Sequence, residues 1–326
     1  MTFDVDTYNP FSIKSEDEFN DVALKLFHFQ YQNNAIYKKY VDGCGGNKPI
    51  NYLEIPFLPI EFFKTHKVVS ADQPFDIDFK SSGTTGVNST HFVKDKLIYE
   101  TSFKKGIHIA YPEIKDCAIL ALLPNYLEQE NSSLVYMVDT LIAQSKFSES
   151  GFYLNDIEGL VDVLKTLEKR NQSTVLIGVS FALLDLIEQQ KFKLNHTIIM
   201  ETGGMKGRRK EIVRSELHQI LCEGFGVSEI HSEYGMTELL SQAYSHGEGV
   251  FQCPPWMKVL IRDVNDPFQI LSFEKPGGIN VIDLANIYSC AFVATQDLGK
   301  IHRNSSFEVI GRFDISDVRG CNLMVE

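Results

Sequence analysis

The sequence predicts an α/β protein. Short apolar runs alternate with segments of helical period through the middle of the chain, and from about Val250 the pattern turns strand-rich. Hydrophobic residues at 44% and aromatics at 11% supply a sizeable core. The first element is an amphipathic helix over 15–29. Ser15 and Glu18 have capping-box spacing, and Phe19, Val22, Ala23, Leu26 and Phe27 recur at i, i+3, i+4, i+7 and i+8. A proline-punctuated stretch follows, Ile55-Pro56-Phe57-Leu58-Pro59-Ile60. Strands are expected at 117–123, Thr174–Val179 and 197–201. One helix between them is marked by Ile157, Leu160, Val161 and Leu164. A later one is marked by Val213, Leu217, Ile220 and Leu221, with Gly224 as its C-cap. The late strands fall at Met257–Arg262, 279–284 and 291–295, with Pro276-Gly277-Gly278 as a turn. No internal repeat, low-complexity tract or linker interrupts the chain.

At 326 residues the chain has room for one large or two ordinary domains. A net charge of −12 argues against binding a nucleic-acid backbone, which calls for a basic face. No stretch approaches the roughly 18 apolar residues of a membrane helix. The start, Met1-Thr2-Phe3-Asp4-Val5-Asp6, lacks a basic-then-apolar leader. The six cysteines form no CxxC pair, so zinc and dithiol chemistry are weak readings. Cys117, Cys222 and Cys290 lie in apolar stretches as reduced core thiols. Together these features predict a soluble cytoplasmic protein.

Three segments carry chemistry. Ser81-Ser82-Gly83-Thr84-Thr85-Gly86 follows the acidic-apolar run Phe75-Asp76-Ile77-Asp78-Phe79. Its glycines allow close backbone approach, and its amides and hydroxyls suit phosphate oxygens. The GxxxxGK[ST] spacing is absent, and alone the hexapeptide reads equally as a surface turn. The second segment is His231-Ser232-Glu233-Tyr234-Gly235-Met236-Thr237-Glu238, delivered to a sheet edge by an expected strand at 227–230. Tyr234 offers a flat face for a base, Thr237 a hydroxyl for a phosphate, and Glu238 a hard oxygen for Mg²⁺. By itself, a Tyr-Gly turn before a helix is unremarkable. The third is Thr295-Gln296-Asp297-Leu298-Gly299, where Asp297 can accept from ribose hydroxyls, followed by Gly311-Arg312-Phe313-Asp314. Each of these is alternatively a turn at a strand end.

Taken in order, these motifs resemble those of the adenylate-forming superfamily of acyl- and aryl-CoA ligases, adenylation domains and luciferase-type enzymes. The resemblance spans most of the chain. It implies the large N-terminal domain of that family, with mixed sheets flanked by helices and a smaller β-rich subdomain. Residues 1–310 would form it, with about 250–310 its β-rich part. It also implies that Ser81, Ser82, Gly83, Thr84, Thr85 and Gly86 hold the ATP phosphates and that Tyr234 packs on adenine. Thr237 would meet the α-phosphate, Glu238 Mg²⁺, and Asp297 the ribose, while Arg312 borders a mobile C-terminal domain. Gly203-Gly204, after an expected strand, resembles the segment beside adenine and is otherwise a simple strand-to-helix turn.

Two departures narrow the resemblance. That mobile domain, the usual source of a lysine for adenylation, is expected to be essentially absent, with 311–326 its remnant. After the hexapeptide comes Val87-Asn88-Ser89-Thr90-His91 in place of proline and lysine. Ser89-x-His91, together with Ile55-Pro56-x-Leu58-Pro59 and Phe63-Lys64, resembles the acyl-protein synthetases of LuxE type, known from the fatty acid reductase complex of bacterial bioluminescence. This implies that a fatty or other carboxylic acid is activated with ATP and Mg²⁺ and then carried as a thioester on a C-terminal cysteine, here Cys321. An acyl-accepting protein or a reductase would be the partner. Nine residues past Arg312 give Cys321 a reach of up to about 30 Å, Arg319 favours its thiolate, and Gly320 lets the backbone turn closely. An ordinary terminal thiol is the alternative. His91 is a candidate phosphate or acyl contact in place of the lysine, or a structural histidine. Gly178-Val179-Ser180-Phe181-Ala182 echoes a nucleophile elbow without its last glycine. Ser180 is therefore read as a helix cap or acyl-pocket wall, with Phe181 and the strand before it lining the pocket. Two rival functions stand beside this one: a ligase transferring to coenzyme A or an acyl carrier protein, and a catalytically silent acyl- or nucleotide-binding subunit.

Overall fold

The apolar runs of the middle chain become strands buried on both faces, which requires a sheet covered by helices on each side. A computed structural model describes Val5 and residues 8–46, 48–81, 88–123, 131–154, 156–203 and 212–313. In chain order the helices are α1 (Glu16–Asn33), α2 (Ala35–Gly43), α3 (Phe62–Thr65), α4 (Lys96–Ala110), α5 (Ser133–Gln144), α6 (Ile157–Lys169), α7 (Ser180–Gln189) and α8 (Arg214–Phe225). The strands are β1 (Leu58–Pro59), β2 (Ile77–Lys80), β3 (Thr90–Val93), β4 (Ala118–Leu122), β5 (Gly151–Phe152), β6 (Thr174–Val179) and β7 (Thr197–Thr202). They continue with β8 (His231–Tyr234), β9 (Ala243–Ser245), β10 (Val250–Gln252), β11 (Met257–Arg262), β12 (Pro276–Asp283), β13 (Phe292–Ile301) and β14 (Phe307–Arg312).

Strands β5, β4, β6, β7 and β8 lie side by side and parallel. At β8 the sheet reverses character. β8 pairs antiparallel with β9, and the order continues β10, β14, β13, β12, β11, all antiparallel, with β1 added in parallel beside β13. The strand-rich part after Val250 thus continues the parallel part without a break in hydrogen bonding. β2 and β3 form a separate antiparallel hairpin. No helix among the described residues is long and apolar enough to cross a membrane.

Helix α1 runs to Asn33, past the expected end at 29. Ser15 Oγ accepts from the Glu18 N–H at 3.2 Å, but the Glu18 carboxylate returns to the Lys14 N–H at 2.7 Å instead of to Ser15. The buried Gln30 on α1 donates to the Asn286 and Ile287 carbonyls at 2.8 and 2.9 Å and accepts from the Ala291 N–H at 2.9 Å. It thereby clamps the β12–β13 connection to the helix.

Several expected boundaries are corrected. Helix α8 ends at Phe225, and Gly226, at φ +67°, is its left-handed cap. A Cβ on Gly226 would lie 2.7 Å from the Phe192 carbonyl oxygen. Gly224 is inside the helix, packed on Ile187. The expected strand at 227–230 does not form, and its place is taken by His231–Tyr234, so the motif is itself the strand. No helix follows Tyr234-Gly235 directly. Pro276-Gly277-Gly278 begins β12 instead of forming a turn, because the Arg262 guanidinium lies over Gly278, where a Cβ would sit 2.6 Å from Cζ. The Asp297 segment lies inside β13, with a register shift between Leu298 and Gly299 in place of the expected turn.

Candidate active site

Ligands of open α/β sheets collect at the carboxyl ends of strands where the topology switches, and β8 marks that switch here. Beside it, β7 leads into Gly203, held at φ +67°. Tyr234 closes β8. Its ring meets Phe307 edge-on at 5.4 Å between centroids and Phe251 at 5.9 Å. The residue is 8% exposed, and its hydroxyl donates to Asp297 Oδ2 at 2.8 Å. Asp297 Oδ1 lies 3.3 Å from Arg312 Nε, and the two residues are register partners across β13 and β14. Burial pushes the Asp297 carboxyl up from its ordinary value, against the pull of Arg312 and Tyr234. The Arg312 side chain is 70% exposed, so this ion pair contributes at most about 1 kcal/mol and exchanges easily for another anion.

Hairpin β2–β3 brings the first motif. The Ser81 N–H donates to the Ser89 carbonyl at 3.1 Å, and the Ser89 N–H donates to Ser81 Oγ at 2.9 Å. Between them, Ser82, Gly83, Thr84, Thr85 and Gly86 lie outside the described residues, as do Gly204 and Cys321. The Ser89 hydroxyl lies near enough to the Glu238 carboxyl to favour its charged form. Glu238 is 5% exposed. Burial pushes its carboxyl up, while the Ser89 hydroxyl and the charges of Lys64 and Arg312 pull it down.

His91, on β3, is 1% exposed. Its Nδ1–H donates to the Thr237 carbonyl at 2.8 Å, and its Nε2 faces Asn286 Oδ1 at 3.2 Å. The Asn286 amide nitrogen donates to the Glu238 carbonyl at 2.9 Å and the Cys290 carbonyl at 3.0 Å, which fixes its orientation. Burial lowers the His91 pKa to about 4, although both hydrogen bonds favour the charged ring. Of the two readings of His91, this geometry favours the structural histidine over a direct contact with phosphate or acyl group. Both ring nitrogens face protein acceptors, and the residue positions the Thr237–Glu238 turn.

Other residues of the site escape sequence reasoning. The buried Asp283 accepts from the Leu240 and Ser241 N–H groups at 2.7 and 3.0 Å and from the Ser241 hydroxyl at 2.6 Å. It anchors the segment just after Glu238. Arg262 donates to the Thr295 carbonyl at 2.6 Å beside Asp297. Helix α3 packs between two motifs: Glu61 before it accepts from Gln296 at 2.6 Å, and Phe63 meets the His91 ring edge-on at 5.8 Å. The only sequence signal for Asp283 and Asn286 is their polarity inside an apolar run.

A second polar cluster stands beside Gly203. Glu201 accepts from Ser180 Oγ at 3.2 Å and Ser232 Oγ at 2.9 Å and pairs with the Arg214 guanidinium. Burial pushes the Glu201 carboxyl up, but hydrogen bonds from His218 and Ser232 and the charge of Arg214 outweigh it and leave the value lowered. Ser180 also donates to the Gly203 carbonyl at 2.7 Å. The helix-cap reading of Ser180 is corrected: Val179 is the N-cap of α7, without a side-chain capping bond. Among the described residues no histidine contacts Ser180, which leaves the hydrolase elbow without its base.

The architecture is that of the large N-terminal domain of adenylate-forming enzymes. ATP-bound MatB from Rhodopseudomonas palustris matches with a TM-score of 0.55 at 19% identity, over 74% of this chain and 50% of that one. A long-chain-fatty-acid-CoA ligase (FadD1) from Archaeoglobus fulgidus matches at 0.55 and 13% identity, over 78% and 55%. 2-Hydroxyisobutyryl-CoA ligase in complex with 2-HIB-AMP matches at 0.63 and 10% identity, over 92% and 68%. The chain spans about half the length of MatB. No curated protein sequence matches significantly. The family model for acyl-protein synthetase, LuxE, matches residues 2–326. The chain belongs to the LuxE acyl-protein synthetase family.

Proposed function

We propose that the protein activates a carboxylic acid, a fatty acid in particular, with ATP and passes the acyl group to a cysteine thiol as a thioester. The observation that carries this reading is the assembly of the separated motifs: His91 binds the Thr237 carbonyl, Ser89 lies beside the Glu238 carboxyl, and Tyr234 and Arg312 meet at Asp297. In the first half-reaction a carboxylate oxygen attacks the α-phosphorus. The bond to the bridging oxygen breaks, and pyrophosphate leaves with its electron pair. Asp297 would accept the ribose hydroxyls, Tyr234 would flank the base, and Thr237 would donate to the α-phosphate. Lys64 and Arg312, the cations acting on Glu238, would offset charge that builds on the phosphoryl oxygens. A hard cation takes oxygen ligands, and the Glu238 carboxyl beside the Ser89 hydroxyl is such a donor set for Mg²⁺, which would supply further charge neutralisation when bound.

In the second half-reaction a thiolate sulfur attacks the acyl carbonyl carbon and AMP departs. Burial pushes the Cys253 and Cys290 thiols up to about 12 and raises those of Cys117 and Cys222. Such thiols make poor nucleophiles, which leaves Cys44 and Cys321, and the resemblance to the acyl-protein synthetases favours Cys321 as the carrier. The protein would act in the cytoplasm with an acyl-accepting protein or a reductase as partner. The test is incubation with ATP, Mg²⁺ and a radiolabelled fatty acid. The expected result is a protein-bound label removed by hydroxylamine and lost in Cys321→Ser but retained in Cys44→Ser. Label retained in Cys321→Ser refutes the carrier assignment. Release of the whole label as acyl-CoA when coenzyme A is added identifies a CoA ligase instead.

A further inference from the structure

At the edge of the sheet opposite the candidate site, where β6 and β7 begin, lies a cavity of about 340 Å³. Six-residue strands separate it from the Gly203 edge by about 17–20 Å, too far for it to share the nucleotide. Four lysines line it: Lys165 and Lys169 from α6, and Lys191 and Lys193 from the α7–β7 connection. All four are exposed, and among the described residues none forms an ion pair. In a chain of net charge −12, such a group is a local reversal of sign. The one carboxylate of the lining, Glu168, offsets only part of it and leaves the lysines in excess. Glu168 accepts from the Asn195 and His196 N–H groups and from the Thr197 hydroxyl, so it is committed to holding the connection. Phe192 provides apolar surface, whereas Leu194 is buried in the core. Their N–H groups donate to the Gly224 and Phe225 carbonyls at 2.9 and 3.1 Å, and Phe192 stacks on Phe225 at 5.5 Å. The wall is therefore fixed against the end of α8.

We propose that this cavity is a docking site for an acidic, amphipathic helix of a partner protein. A lone phosphate needs donors converging on one point, whereas these ammonium groups come in two spaced pairs. Lys165 and Lys169 lie one helical turn apart, about 6 Å. Lys191 and Lys193 are two residues apart in a non-helical connection, about 6–7 Å when extended. Carboxylates at i and i+4 on a partner helix have the same spacing, and an apolar side chain between them would meet the half-buried Phe192. The site holds the partner on the face away from the nucleotide and is independent of which acid is activated.

The probe is a fluorescein-labelled, alanine-based helical peptide with glutamates at i, i+4 positions flanking one leucine, followed by fluorescence anisotropy on the full chain. The expected result is saturable binding at about 20 mM salt that weakens about tenfold at 0.3 M. Binding should fall about tenfold or more with the glutamine version of the peptide and with the Lys165→Glu/Lys169→Glu and Lys191→Glu/Lys193→Glu variants. All four positions are exposed, so the variants should melt like the parent. Absence of saturable binding overturns the proposal, as does equal binding by parent and both variants. Displacement of the peptide by about 1 mM inorganic phosphate identifies a phosphate site and also overturns it.

Discussion

Under the proposed function, Asp297 and Lys64 would separate two tasks of one polar site, holding the nucleotide and meeting the charge of the transition state. Asp297 sits between a buried phenol and an exposed guanidinium, so its carboxylate would already be oriented for the proposed ribose contact. A charge-assisted hydrogen bond contributes about 1.5–3 kcal/mol. Asp297→Ala should accordingly raise KM for ATP about tenfold or more and leave kcat within about threefold. Lys64 acts on the charge near Glu238, and a cation that strengthens only as phosphoryl charge develops lowers the barrier without tightening the ground state. Lys64→Met should lower kcat about a hundredfold with little change in KM. ATP–pyrophosphate exchange read as a function of ATP and acid concentration checks both. If Lys64→Met exchanges at the parent rate while Asp297→Ala fails, the charge role belongs to another residue.

At the scale of elements, the Thr237–Glu238 turn has one bond of its own, from the Leu239 N–H to the Met236 carbonyl at 3.1 Å, and is otherwise held from distant parts of the chain. Asp283 at the end of β12, Asn286 just beyond it and His91 on β3 supply the bonds, and α1 reaches over through Gln30 to fix Asn286. Asp283→Asn would turn an amide toward N–H donors and leave at least one buried N–H unpaired. It should cost about 2–3 kcal/mol and lower Tm by about 3–4 °C, and it should slow pyrophosphate exchange in the fraction that remains folded. Calorimetry followed by exchange assays at a temperature where both forms are folded tests this, and an unchanged Tm removes the anchoring role. The same elements mark how far the sequence reaches. Helices α1, α6 and α8 and strands β4, β6, β7 and β11 follow from period and apolar runs, and the motif positions follow from residue type. Strand β12 beginning at Pro276 follows from Arg262 lying over Gly278, a tertiary contact with no local signature. Asp283, Asn286 and Gln30 are illegible for the same reason, since the partners that tie them to other elements lie 42 to 261 residues away.

For the whole molecule, the buried titratable groups fix how stability follows pH. His91 has a folded pKa of about 4 against an ordinary 6.5. Between those values the unfolded chain binds a proton that the folded chain refuses, so its contribution is complete above pH 6.5 and is lost as pH falls toward 4. The slope is about 1.4 kcal/mol per pH unit, up to about 3 kcal/mol across the window. His231 is also lowered to about 4, first by burial and then by His246, and adds in the same direction. Glu233 opposes them. Burial raises its carboxyl to about 7 from 4.5, against the hydrogen bond from Thr202, so its protonated form is favoured in the fold and stability declines as pH rises through that range. Glu233 keeps some solvent contact, which reduces its share to about 1–2 kcal/mol. Two variants should therefore tilt the profile in opposite senses. His91→Gln keeps a donor for the Thr237 carbonyl, and its Tm relative to the parent should improve as pH drops from 7 to 4.5. Glu233→Gln keeps an acceptor for Thr202, and its relative Tm should improve as pH rises over the same range. Parallel Tm profiles for parent and His91→Gln would mean that the ring is already protonated in the folded protein, its two hydrogen-bond acceptors having outweighed burial.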